Sequence, residues 1–211
     1  MTADPISRRG FLGGSAAAGL GLTATAGASP IVTPRQTEGP FYPTVEQADK
    51  DADLTRIVGR DGVALGETVE VVGQVLDEEG EPIPDAVVDV WQANAAGRYA
   101  HESDPNPAPL DPNFQGWALV KTDAEGRYRF RTIKPGAYPA TRGWDRPPHI
   151  HFKVSRRGFR EITTQMYFPD EPLNEVDRLL NAVPEQERRV LISQRDEGTG
   201  ALVFDVVLAR A

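Results

Sequence analysis

Apolar residues recur along most of this chain at every second position. Val69, Val71 and Val75 alternate with Thr68, Glu70 and Gln74, the period of a strand with one buried face. Asp77-Glu78-Glu79-Gly80 reads as a turn, after which Ala86, Val88 and Val90 resume the alternation. The cleanest case sets Tyr128 and Phe130 between Arg127, Arg129 and Arg131. Ile150, Phe152 and Val154 alternate with His149, His151 and Lys153, and Leu202, Phe204, Val206 and Leu208 predict a last strand. Helical spacing occurs in one interval, through Leu173, Val176, Leu179, Leu180 and Val183 before Pro184, with a short second helix predicted through Val190. Short strands, Gly/Pro turns and few helices predict an all-β fold. The architecture expected is an antiparallel β-sandwich with one or two short helices and long loops. No internal repeat or linker divides residues 30–211, so a single domain is expected there.

Residues 1–29 stand apart from this pattern. Ser7-Arg8-Arg9-Gly10-Phe11-Leu12 is a twin-arginine pattern, and a Gly/Ala-rich apolar stretch follows from Gly13 to Ala28. Ala24-Thr25-Ala26 and Ala26-Gly27-Ala28 supply small-residue cleavage sites. The order predicts export by the twin-arginine route to the periplasm or outside the cell. The apolar stretch is too short and glycine-rich for a comfortable membrane span, and none is expected in the mature chain.

Composition narrows the chemistry. The net charge of -8 is spread along the chain, which argues against nucleic acid or an anionic membrane as partner. With no cysteine there are no disulfides, thiolate metal sites or thiol nucleophiles. Any metal must therefore be held by oxygen and imidazole nitrogen, and only three histidines exist: His101, His149 and His151.

Arg146-Pro147-Pro148-His149-Ile150-His151-Phe152 is the most informative stretch. Histidines two apart on a strand point to one side, while Ile150 and Phe152 point to the other. Two neighbouring imidazoles suit metal chelation. An H-x-H alone leaves three readings open: an ordinary surface or turn role, a zinc or copper hydrolase-like site, or a different metal enzyme. The segments from Val71 to Val90 and from Thr122 to Phe130 also resemble transthyretin-like sandwiches, so a non-catalytic binding module is a further alternative.

Gly97-Arg98-Tyr99-Ala100-His101 and Pro135-Gly136-Ala137-Tyr138-Pro139 change the balance. With them the sequence resembles the intradiol ring-cleavage dioxygenases, and among these the protocatechuate 3,4-dioxygenase branch. The resemblance begins at Thr37-Glu38-Gly39-Pro40-Phe41-Tyr42-Pro43 and Asp53-Leu54-Thr55. It passes through Val90-Trp91-Gln92-Ala93, Asp111-Pro112-Asn113-Phe114-Gln115-Gly116, Thr122-Asp123-Ala124-Glu125-Gly126 and the histidine stretch. It ends with Thr164-Gln165-Met166-Tyr167-Phe168-Pro169 and Phe204-Asp205-Val206-Val207-Leu208, covering nearly the whole mature chain in order.

The resemblance implies a non-haem Fe(3+) ion, one per chain, held by Tyr99, Tyr138, His149 and His151. It implies a small aromatic diol and dioxygen as substrates and a cis,cis-muconate type diacid as product. Tyr138 is then the ligand that leaves and takes a substrate proton, while Tyr99, His149 and His151 stay. Arg146 stabilises developing negative charge and Gln165 adds a hydrogen bond. Phenolate is a hard anionic donor that favours iron(III), and the metal in turn depresses a phenol pKa from about 10. Tyr128 and Tyr167 are expected to pack, Tyr42 either to face the substrate or to pack in its loop, and His101 to hydrogen-bond in a loop. Ala137 stands where the family often has proline, and Trp117 is expected in a loop at the pocket mouth. Relatives of this size assemble as homo- or hetero-oligomers.

Overall fold

The computed structural model describes residues 30–211 apart from Glu46 and Ala48, so the twin-arginine segment lies outside the described residues. β1 (Thr68–Asp77) carries the first alternation and buries Val69, Val71 and Val75. β2 (Val87–Trp91) and β3 (Trp117–Lys121) pair antiparallel, and β4 (Arg127–Ile133) returns to pair antiparallel with β1. β5 (Tyr138–Thr141) and β6 (Trp144–Arg146) form a separate short hairpin. β7 (His149–Ser155) and β8 (Ile162–Tyr167) complete a four-stranded antiparallel sheet in the order β3-β2-β7-β8.

The other sheet is built around β1. Beside β4 it takes β9 (Gln194–Arg195), β10 (Leu202–Val203) and β11 (Val206–Leu208). The fold is therefore the expected sandwich, antiparallel except where β10 and β11 run parallel to β1. The predicted last strand is broken at Phe204-Asp205. There Phe204 donates its N–H to the Val72 carbonyl, and the Asp205 side chain accepts from the Gln74 N–H. The break presses the Phe204 carbonyl onto Gly73, where a Cβ would lie 1.9 Å from it. Only glycine permits that approach.

The core lies between the sheets. Phe130 meets Phe152 with ring centroids 5.9 Å apart, and Phe152 meets Phe204 at 4.9 Å. Val71, Val88, Val90, Ile150 and Val154 are fully buried around them. Tyr128 is buried here too and donates to the Phe204 carbonyl, as its place in the alternation anticipates.

The helical interval departs from its prediction. It divides into a 3-10 turn at Pro172–Glu175, α1 (Arg178–Asn181), α2 (Glu185–Arg188) and a 3-10 turn at Arg189–Leu191. Val176, assigned to the apolar face by spacing, is 65% exposed. The cause is local: the Asp177 side chain accepts from the Leu180 N–H and caps a new helix there, and Pro184 stops it. Among the described residues no helix is long and apolar enough to cross a membrane.

Candidate active site and metal centre

His149 and His151 lie on β7 opposite the core-facing Ile150 and Phe152, and loops cover them so that both are buried. His149 Nδ1 donates to the Pro147 carbonyl at 2.7 Å, which fixes the tautomer and leaves Nε2 as a lone pair. His149 Nε2 lies 3.4 Å and His151 Nε2 3.2 Å from the same atom, the Tyr99 hydroxyl oxygen. Burial first, then the Arg146 charge, holds both imidazoles neutral; His151 is pushed down to about 3. Trp91, the register partner of His151 across β2 and β7, stacks on it at 4.8 Å and 9°.

The two tyrosines come from adjoining loops. After β2 the Asn94 side chain accepts from the Ala96 and Arg98 N–H groups, closing a turn that delivers Tyr99. Gly97 there has φ 76°, and a Cβ would sit 2.4 Å from the Ala137 carbonyl of the Tyr138 loop. Tyr138 opens β5 and pairs in register with Arg146 of β6, so one hairpin presents phenol and guanidinium side by side. The Tyr99 and Tyr138 rings meet edge to face at 5.6 Å, and Phe41 packs on Tyr99 at 4.9 Å. Burial pushes both phenols up, Tyr99 well above the ordinary range, while Arg146 opposes the rise. A phenolate at either position needs a nearby cation.

Arg146 is the hub of a buried network. Its Nε donates to Asp177 at 3.0 Å, and its Nη2 donates to Gln165 at 2.5 Å and to the Tyr167 oxygen at 3.1 Å. Gln165 donates to the Thr37 carbonyl, and Tyr167 to Gln36, tying the N-terminal segment to the site. Trp144 Nε1 also donates to Asp177, which is completely buried. Tyr167 packs as expected but also hydrogen-bonds within the network.

Tyr138 and Arg146 line a cavity of about 310 Å³, together with Phe41, Asp104, Trp144 and the Pro139-Ala140-Thr141 strand. Tyr99, His149 and His151 do not line it. A larger depression of about 520 Å³, lined by residues of β1 and β4, includes none of these site residues. Tyr42 does not reach the cavity; its hydroxyl donates to Asp89 at 2.7 Å and its ring meets Trp91 edge-on. His101 Nδ1 accepts from the Ser103 N–H within its loop. Trp117 departs from its expected loop: it opens β3, is buried, and donates Nε1 to Asp89 at 2.7 Å. Paired with Trp91 and packed beside Tyr42, it does not line the cavity.

Sequence reasoning missed Trp91, Asp177 and Phe41 as parts of this site. The register of β2 against β7 could have found Trp91. Nothing local pointed to Asp177.

The donor set fits a hard cation. Among the described residues no group of three or more His, Cys, Asp or Glu is placed to hold a metal, so a site here depends on the phenols. Two neutral imidazole nitrogens and two phenol oxygens supply nitrogen and hard oxygen, with no soft ligand available.

The dioxygenase family model matches residues 37–209. The chain is 47% identical over 184 residues to the protocatechuate 3,4-dioxygenase beta chain of Burkholderia cepacia, covering 82% of this chain and 78% of that one. The chain belongs to the intradiol ring-cleavage dioxygenase family. Like its relatives it is an enzyme. The alpha chain from the same organism is 35% identical over 186 residues, covering 82% of this chain and 90% of that one. Among solved structures, 3-chlorocatechol 1,2-dioxygenase of Rhodococcus opacus matches with a TM-score of 0.66 at 26% identity, covering 85% of this chain and 73% of that one.

Proposed function

We propose that this intradiol dioxygenase cleaves a catechol-type ring between its two hydroxyl-bearing carbons, using one non-haem iron(III) per chain. Tyr99, Tyr138, His149 and His151 would hold the ion. The observation that carries the reading is the convergence of both imidazole Nε2 atoms on the Tyr99 oxygen, with Tyr138 packed against Tyr99 at the cavity wall. When bound, the metal would supply Lewis acidity and a template for the diol and dioxygen.

The chain's own residues have separable tasks. Tyr138 is the candidate ligand that lines the cavity, so its oxygen is the one placed to take a diol proton on substrate entry. Arg146 lies beside it with its orientation fixed by Asp177 and Gln165, a fixed donor for negative charge developing at the ring oxygens. Gln165, anchored on Thr37, holds that guanidinium in place. His149 is oriented by Pro147 and His151 by the Trp91 stack, so neither imidazole needs to reorganise.

The test is product analysis with catechol under isotopically labelled dioxygen. The expected product is a cis,cis-muconate type diacid carrying both atoms of one dioxygen. A yellow semialdehyde, the mark of cleavage beside the diol, would contradict the reading. The alpha and beta chain relatives support assembly with a partner or with copies of itself. The twin-arginine pattern supports export.

A further inference from the structure

Three rings stand in one cross-strand row on the face of the β3-β2-β7-β8 sheet turned away from the core. Trp91 of β2 pairs in register with Trp117 of β3 on one side and with His151 of β7 on the other. Its indole lies flat on the His151 imidazole, at 4.8 Å and 9°. Tyr42 braces the same indole edge-on from the N-terminal segment, at 4.9 Å and 85°, and meets the Trp117 ring at 6.1 Å. One carboxylate ties these braces together. Asp89, two residues before Trp91 and so on the same face of β2, is buried. One of its oxygens accepts from the Tyr42 hydroxyl and the other from Trp117 Nε1, each at 2.7 Å. Lys153 over the Tyr42 ring at 4.0 Å and Lys50 over the Trp117 ring at 4.3 Å bring positive charge close to it. A buried carboxylate with both oxygens bonded and cations beside it is a well-satisfied anchor.

We propose that Asp89 and Tyr42 are positioning residues for the proposed metal centre: through Trp91 they fix the plane of the His151 imidazole, and so the direction in which its Nε2 points. The proposal rests on the iron reading above and adds residues outside the four ligands. The two histidines are held differently. His149 is aimed by the bond from its Nδ1 to the Pro147 carbonyl, the usual device for a metal-binding imidazole. His151 Nδ1 is buried without a hydrogen-bond partner among the described residues, so packing sets the plane of that ring. Trp91 covers one face of it, and the Gly39 backbone closes on its edge, where a Cβ would stand 3.5 Å from Cε1. An indole without its braces is free to change rotamer, and the imidazole stacked on it loses its reference plane. Tyr42 does not line the cavity, so its contribution is to the ligand rather than to the substrate.

The experiment compares the iron-loaded enzyme with Tyr42→Leu, Asp89→Ala, Asp89→Asn and Val88→Ala. Two readouts are taken, the rate of iron loss to a strong chelator and the electron paramagnetic resonance spectrum of the ferric ion, with the unfolding midpoint alongside. Tyr42→Leu and Asp89→Ala are expected to lose iron about tenfold faster or more and to shift the ferric spectrum. Asp89→Asn, which keeps a bond for each ring, is expected to recover most of both. Val88 is on the same strand but faces the core, away from the Trp91 cluster, so Val88→Ala lowers the midpoint and should leave iron release and spectrum unchanged. Tyr42 is half-buried in a loop, so Tyr42→Leu carries the test even where Asp89→Ala does not fold. Unchanged iron release and spectrum in Tyr42→Leu overturn the proposal, as does equally fast release from Val88→Ala. An unmodified enzyme that binds no iron refutes the iron reading itself, and the proposal with it, before any variant is compared.

Discussion

Four side chains carry the proposed chemistry, and they are not equivalent. Tyr138 faces the cavity and shares a hairpin with Arg146, whereas Tyr99 is enclosed by both imidazoles and Phe41. This difference in access predicts different losses. Tyr138→Phe keeps three donors, so it should retain the metal and one tyrosinate absorption. It should bind catechol more slowly, with kcat/KM lower by about 10²–10⁴-fold for a lost proton acceptor. Tyr99→Phe removes the enclosed phenolate, so catechol should still bind but fail mainly at the oxygen-dependent step. Rapid-mixing spectra of both variants, with catechol before and after oxygen is admitted, check this. Exchanged phenotypes would refute the assignment of roles to the two tyrosines.

At the scale of elements, some of the site was legible and some was not, for a physical reason. A strand of period two places His149 and His151 together once Ile150 and Phe152 enter the core, and β7 does this. Local propensity cannot place Trp117, because a tertiary partner decides it, whereas at Val176 a competing local signal overrides the helical spacing. Asp89 draws Trp117 into β3, and the Asp177 cap restarts the helix beyond Val176. Asp177 lies 31 residues from Arg146 in sequence, beyond the reach of any periodicity. It links β6, α1 and the Trp144 indole through one buried carboxylate. Asp177→Ala should strand the buried guanidinium and uncap α1, costing about 3–5 kcal/mol in chemical denaturation. Asp177→Asn, which keeps acceptors for the cap, should recover part of that. A loss under about 1 kcal/mol for Asp177→Ala, the level of a cap alone, would contradict the linkage.

For the whole molecule, a sandwich core and an anchored N-terminal segment hold the site rigidly, since Gln36 and Thr37 bond to Tyr167 and Gln165. The segment before it has the marks of an export address. Replacing Arg8 and Arg9 by lysine should leave uncleaved protein in the cytoplasm; unchanged export and cleavage would refute the twin-arginine reading. A route that carries folded proteins would suit an enzyme whose proposed metal site is assembled from four separate positions of the fold. The central claim is that this site holds iron(III) through two phenolates and two imidazoles. Metal analysis of the purified enzyme with its visible spectrum tests that directly. The account predicts about one iron per chain, from the single four-donor set, and a red to purple colour from phenolate-to-iron charge transfer. A colourless protein with one zinc per chain would contradict it.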